Sequence, residues 1–264
     1  MINKIDIHIP PLVHCITNPI SINQCANAIL AIGAKPIMAE HPKEVKEITR
    51  TADALMLNLG NITNARMKSM PISLREASVK NIPVLLDVVG VACSSLRKTF
   101  VHKLLKVGIP TVIKGNYSEI YALYNAKYHS SGVDADSSLN EENLETAAVV
   151  LACKYNCIIL ATGQKDIITD GRRLVYINNG AEQLSSVSGT GCMLGALCAS
   201  YLATDNSFDS VIYACGVLSI SGELSKTITG NSTFMQKLID TLSTITKSDI
   251  QKHLKMEEKK FDEV

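Results

Sequence analysis

The stretch Ser188-Gly189-Thr190-Gly191-Cys192-Met193-Leu194-Gly195-Ala196-Leu197 governs the reading of this chain. Its glycines let the backbone approach an anion closely, and the small apolar residues that follow suit a helix whose first N–H groups point back at the same spot. Cys192 stands at that positive helix end, where a thiolate is favoured. Its thiol is therefore expected to be more acidic than in bulk and to act as a base or nucleophile. The same glycine turn also serves simple packing, so its meaning depends on what surrounds it.

Upstream, short apolar runs alternate with longer amphipathic ones, the pattern of strands and helices around a mostly parallel sheet. Strands are expected over residues 12–17, 34–39, 54–59, 83–89, 111–114 and 157–162. Helices are expected over 21–32, 42–51, 71–81, 94–107, 118–125 and 141–155, with Pro42 and Pro71 in first helical turns. Residues 166–169 and 173–177, joined around Asp170-Gly171, read as an antiparallel hairpin added to the parallel core. Three more helices follow over 192–202, 208–227 and 233–245, and a charged tail from Lys247 is expected to fray. The polar stretch 128–140 reads as a loop or flap. With no internal repeat and no long linker, residues 1–264 are expected to form a single α/β domain.

Composition narrows the class of function. A net charge of +1 over 264 residues, with no basic run interleaved with aromatics, argues against nucleic acid as a partner. No stretch approaches the length of a membrane span, and Lys4, Asp6 and His8 break up the isoleucines of the N-terminus, so no signal peptide is expected. The eight cysteines lack the paired spacing of a zinc site. They read mostly as buried thiols of a cytoplasmic protein.

The unusual residues share a position. Asn58 and Gly60 end the third expected strand, Asp87 lies late in the fourth, Lys114-Gly115-Asn116 closes the fifth and Thr162-Gly163 the sixth. In open α/β sheets ligands bind outside the carboxyl ends of the strands, so these residues are expected to line one cleft together with Gly189. Each also has a duller role open to it: Asp87 as a helix cap, Glu119 as a solvated first-turn acid, Lys114 as a surface charge. Other nucleotide and hydrolase signatures fit poorly. There is no Gly-x4-Gly-Lys-Ser/Thr loop, no acidic strand end at the right distance after Gly189, Gly191 and Gly195, and no Gly-x-Ser-x-Gly elbow.

His14-Cys15-Ile16-Thr17-Asn18 with Asn23 and Ala26-Asn27, Gly33-Ala34-Lys35-Pro36-Ile37-Met38, Asn58-Leu59-Gly60, the run Ile113 to Ile120, Thr162-Gly163 and Gly189-Thr190-Gly191-Cys192 occur in this order. Together they resemble the hydroxyethylthiazole kinases of the ribokinase-like superfamily, most specifically in the final cysteine, where related members generally carry aspartate. The resemblance spans nearly the whole chain. It implies a three-layer sandwich with a central, mostly parallel sheet, and ATP-dependent phosphorylation of the hydroxyl of 4-methyl-5-(2-hydroxyethyl)thiazole in thiamine salvage. It also implies a Mg2+ requirement and a homotrimer with active sites between subunits.

Carried over by position, the resemblance implies a thiazole site at Met38, Gly189 and Asn18, ATP contacts from Lys114 and Thr162, metal or phosphate roles for Asp87 and Glu119, and a catalytic role for Cys192. Lys114 stands where many members have arginine, Pro19 and Val88 where valine and proline are commoner, and Ser188 where threonine is usual. Phosphoryl transfer asks mainly for alignment and charge neutralisation, so backbone donors at 189–192, the Lys114 cation and a weak base at Cys192 suit the chemistry. A kinase for another small alcohol and an inert nucleotide-binding subunit are the competing functions.

Overall fold

The computed structural model describes residues 9–129, 140–227 and 230–260. Strands and helices alternate as β1 (Leu12–Ile16), α1 (Ile22–Ala31), β2 (Lys35–Ile37), α2 (Val45–Thr51), β3 (Ala54–Asn58), α3 (Asn64–Lys80), β4 (Val84–Asp87), α4 (Ser95–Val107), β5 (Val112–Asn116) and α5 (Tyr117–Tyr124). Next come α6 (Glu141–Tyr155), β6 (Ile158–Thr162), β7 (Asp166–Thr169), β8 (Arg173–Ile177) and α7 (Glu182–Ser186). The chain closes with α8 (Thr190–Thr204), α9 (Phe208–Leu224), α10 (Asn231–Thr244), α11 (Lys247–His253) and β9 (Met256–Lys260). Among the described residues the strands form one nine-stranded sheet in the order β2-β1-β3-β4-β5-β6-β7-β8-β9. Pairing is parallel from β2 across to β6, and β7, β8 and β9 extend the sheet antiparallel.

Side-chain alternation fixes the layers, because successive residues of a strand face opposite sides of the sheet. Val13, Cys15, Met56, Leu85, Val112 and Leu160 enter a core shared with α1, α8, α9 and α10. Ile16, Leu55, Leu57, Leu86, Ile113 and Ile159 enter the opposite core under α2 to α6. This is the expected sandwich with a mostly parallel sheet. Helix α8 is apolar all round because it lies on β1, β3 and β4 with α1 and α9 beside it, so Met193 to Leu202 are all buried.

Local expectations fail in three places. Pro71 does not open its helix: Thr63 caps α3 by accepting from the Arg66 N–H at 3.3 Å, and the helix runs through the proline while Met70, Ser73, Leu74 and Ala77 pack inward. Pro42 falls in a turn ahead of α2. As far as residue 260 the tail does not fray, since Thr246 and Asp249 form a reciprocal cap that starts α11, and β9 then pairs with the open edge of β8. Polar side chains anchor that pairing, Arg173 to Glu258 at 2.8 Å and Lys259 to Glu145 at 3.3 Å. Most of the flap expected over 128–140 lies outside the described residues.

Candidate active site

Strand periodicity carries Asn58, Asp87, Lys114, Asn116 and Thr162 to the α8 side of the sheet, Lys114 in the middle of its strand and the others at the last residue of theirs. Parallel register then sets Asn58 beside Asp87, Asp87 beside Lys114, and Asn116 beside Thr162. Helix α8 begins directly over this row. Gly189, at φ +96, makes its N-terminal turn in a conformation that L side chains rarely adopt, and a Cβ there would meet Ser21 at 3.2 Å. Gly195 lets the helix settle onto the sheet, since a Cβ would stand 2.8 Å from Met56 and 3.2 Å from Leu85. Gly189 gives the helix no side-chain cap, so the N–H groups of its first turn remain for an anion.

Cys192 is held from below by two amides. Asn58 Nδ2 donates to its sulfur at 3.2 Å and Asn18 Nδ2 at 3.5 Å. Both amides have a fixed orientation: Asn18 Oδ1 accepts the Ile20 and Ser21 N–H groups at 3.1 and 3.2 Å, and Asn58 Oδ1 accepts the Gly60 N–H at 2.8 Å. Asn18 Nδ2 donates to Asn58 Oδ1 at 3.1 Å, and Asn58 Nδ2 donates to Asp87 Oδ2 at 3.1 Å. The network therefore offers the sulfur only donors, which favours its anionic form. Burial and the Asp87 carboxylate outweigh that effect and push the thiol above the ordinary cysteine value, with Lys114, Ser21 and Asn18 opposing. The acidic thiol expected from the helix end is thus not found, because the nearby carboxylate and desolvation dominate.

Lys114 Nζ reaches Asp87 Oδ2 at 2.9 Å, with both side chains buried. Burial lowers the pKa of the ammonium, but Asp87, with Cys192 and Glu119, outweighs it and holds the value above that of an ordinary lysine. It also points towards the first turn of α8, since a Cβ on Gly191 would stand 3.6 Å from Nζ. Glu119 is buried too and takes the Gly90 N–H at 2.6 Å and the Asn116 N–H at 2.7 Å. Burial and the charge of Asp87 push its carboxyl up to about 7. Lys114 and Glu119 are therefore neither a surface charge nor a solvated acid.

A cleft of about 720 Å³ opens from this centre towards the antiparallel strands, lined in part by Asn116, Thr162, Asp166, Asn179, Gly180 and Gly191. Thr162 borders it half-buried, its hydroxyl 3.4 Å from the Gly115 carbonyl. Met38 lies past the end of β2, half-buried against the core layer that also receives Cys192. The cleft thus extends from Gly191, next to Cys192, towards β6 to β8, whereas Met38 follows β2 at the opposite edge of the sheet.

The hydroxyethylthiazole kinase family model matches residues 2–248. The chain belongs to the hydroxyethylthiazole kinase family. It is 44% identical to hydroxyethylthiazole kinase 1 of Clostridium botulinum (strain Loch Maree / Type A3), over 93% of this chain and 95% of that protein. Against the hydroxyethylthiazole kinase of Finegoldia magna the identity is 41%, over 92% and 90%. The solved hydroxyethylthiazole kinase from Pyrococcus horikoshii OT3 superposes with a TM-score of 0.86 at 32% identity, covering 95% of this chain and 94% of that one. A Staphylococcus aureus pyridoxal kinase in complex with AMP-PCP and pyridoxal shares the fold at a TM-score of 0.67 and 14% identity, over 96% and 100%. The fold is accordingly ribokinase-like.

In this member of the hydroxyethylthiazole kinase family the structure brings Asn18, Asp87, Lys114 and Cys192 into one hydrogen-bonded group through Asn58, with Gly189 beside Ser21 at the start of α8, Thr162 on the cleft, Glu119 buried near Asp87, and Met38 sharing only the apolar layer that also receives Cys192. Sequence reasoning placed Asn58 on the cleft edge without a chemical role, yet its amide joins Asn18, Asp87 and Cys192. Its place beside Asp87 in the parallel register was the available signal. The Asn178-Asn179-Gly180 rim was missed as well. It follows β8, which runs parallel to β6 through two antiparallel pairings, so its end falls on the same edge.

Among the described residues no group of three or more His, Cys, Asp or Glu side chains gathers to hold a metal unaided. Mg2+ commonly binds through one or two carboxylates together with substrate phosphates and water. The Asp87–Glu119 pair, whose mutual repulsion contributes to the raised Glu119 carboxyl, is a donor set of that kind.

Proposed function

We propose that this chain transfers the γ-phosphoryl group of ATP to the hydroxyl of 4-methyl-5-(2-hydroxyethyl)thiazole, a step of thiamine salvage, and works as one kinase domain over residues 1–264. The observation that carries the reading is the Cys192 sulfur, held by Asn18 and Asn58 at the uncapped start of α8, above the buried Asp87–Lys114 pair and beside the cleft. The thiazole lies on the Met38, Asn18 and Gly189 side, and ATP lies along Thr162 and Gly191 with its phosphates near Lys114. Asp87 and Glu119 would hold Mg2+, which would supply charge neutralisation at the phosphates.

The protein's own work is positioning and proton handling. Lys114 and the first N–H groups of α8 stabilise the transferring phosphoryl group. Cys192, as thiolate, takes the alcohol proton while the alcohol oxygen bonds to phosphorus and the bond to the ADP oxygen breaks. In a loose transition state that proton leaves late, so a minor thiolate population suffices. A raised thiol pKa makes the thiolate scarcer and also a stronger base.

Incubating the protein with MgATP and a panel of small alcohols, and identifying the phosphorylated product by mass, tests the substrate. The thiazole alcohol should be the preferred acceptor. Turnover of a pyrimidine alcohol instead, or none with any alcohol, defeats the assignment.

The proposed assembly is a homotrimer in the reducing cytoplasm that completes each thiazole site across an interface. All eight cysteines are free, and Ile20, two residues after Asn18, and Leu30 on α1 are 61% and 56% exposed. Mixing the impaired Met38→Ala and Cys192→Ala proteins should raise activity above that of either alone. A fully active monomer by solution mass measurement would contradict the assembly.

A further inference from the structure

The far wall of the cleft is tied to a part of the chain that the family model does not reach, since that model ends at residue 248 and β9 lies beyond it. Asn178, Asn179 and Gly180 form this wall. Gly180 has φ +154, in the region L side chains rarely adopt, and a backbone so free to turn is fixed here by hydrogen-bond partners. Those partners come from two distant segments. Asn179 is buried at 6% exposure, and its Nδ2 donates to the His253 carbonyl at 2.8 Å and to Glu223 at 3.2 Å. Its Oδ1 accepts the Lys255 N–H at 2.6 Å. The Asn178 N–H donates to the Lys255 carbonyl at 2.9 Å, and the Gly180 N–H to Glu223 at 3.1 Å. Lys255 Nζ completes the knot on Glu223 at 3.3 Å.

We infer that residues 253–255, at the junction of α11 and β9, are a clasp that sets the Asn178-Asn179-Gly180 wall of the nucleotide cleft, with Asn179 as the positioning residue. The inference rests on the proposed placement of ATP in this cleft. The clasp makes no contact with Cys192, Asn58, Asp87 or Lys114 among the bonds described. It therefore acts on nucleotide affinity and leaves the transfer step alone. Buried amide bonds of this kind hold a loop in one geometry, and losing one costs binding through the states the loop then explores.

Lys255→Pro deletes the N–H that Asn179 Oδ1 accepts and keeps the carbonyl that Asn178 uses, while Lys255→Ala removes only the ammonium. With Lys255→Pro, KM for ATP and the calorimetric Kd for ADP should both rise about 3- to 10-fold, the size of one lost buried hydrogen bond. The kcat and the KM for the thiazole alcohol should stay within about 2-fold, and Lys255→Ala should match the wild type. Asn179→Ala should repeat the pattern more strongly. A lowered Tm with unchanged ADP affinity, or an equal rise in both KM values, overturns the clasp. ADP titration separates this inference from the substrate: a wild type that binds ADP yet fails on the thiazole defeats only the substrate assignment, and the ADP ratio still judges the clasp. A wild type that binds no ADP defeats both.

Discussion

The two walls of the cleft are built differently. On the parallel side, Asn58, Asp87 and Lys114 project from neighbouring strands, Asn58 bonding Asp87 and Asp87 bonding Lys114, so strand register assembles the polar row on which Cys192 of α8 is set. On the antiparallel side, the Asn178-Asn179-Gly180 wall follows a strand end as well, yet it takes its shape from Glu223 and the segment at 253–255. On the proposed reading, one wall carries groups that react or neutralise charge, and the other carries a backbone that must be held still. Damage to the first should strike rate and stability, and damage to the second should strike nucleotide affinity.

Cys192→Ala is the strongest test of that division. The kcat should fall about 10- to 1,000-fold while ADP affinity stays near wild type, because helix and cation remain to stabilise the phosphoryl group. Wild-type kcat should still be climbing with pH above 8, since burial and Asp87 raise the thiol and the thiolate is the working form. Cys192→Asp should retain substantial activity. An alanine variant at full rate beside an unfolded aspartate variant would return Cys192 to a packing role and remove the contrast between the walls.

Lys114→Ala should destabilise the protein by about 3–5 kcal/mol in denaturant titration, because it leaves the Asp87 carboxylate buried without its cation. It should also weaken ATP use more than thiazole binding, and Lys114→Arg should be milder on both counts. Replacing both partners, Asp87→Leu with Lys114→Met, should recover much of the stability and none of the activity. Equal stability in the single variant would mean that water reaches Asp87 freely.

Glu119 supplies a smaller, pH-dependent effect. Its folded value of about 7 lies above the ordinary 4.5, so the folded chain binds this proton more tightly than the unfolded one. This contribution therefore favours the folded state at low pH, and the advantage is lost as pH rises from about 4.5 to about 7. Thermal melts of the metal-free protein across that window should show the slope, and Glu119→Gln should flatten it whatever its absolute Tm. An unchanged slope would assign the pH dependence to another group.

Sequence alone determined the order of most strands and helices, the collection of Asn58, Asp87, Lys114 and Thr162 at carboxyl ends of strands, and the glycine turn ahead of Cys192. These follow from short-range rules: side chains alternate along a strand, glycine tolerates positive φ, and an uncapped helix start leaves N–H groups for an anion. Local signals failed where distant partners intervene. Packing carried α3 through Pro71, and the open edge of β8 ordered a tail whose composition reads as solvated. Only the tertiary structure paired Lys114 with Asp87, aimed both amides at Cys192, raised that thiol where a helix end alone would lower it, and tied Asn179 to residues 253 and 255. Each depends on burial and on which strand lies beside which, and those are set by contacts between residues far apart in the chain.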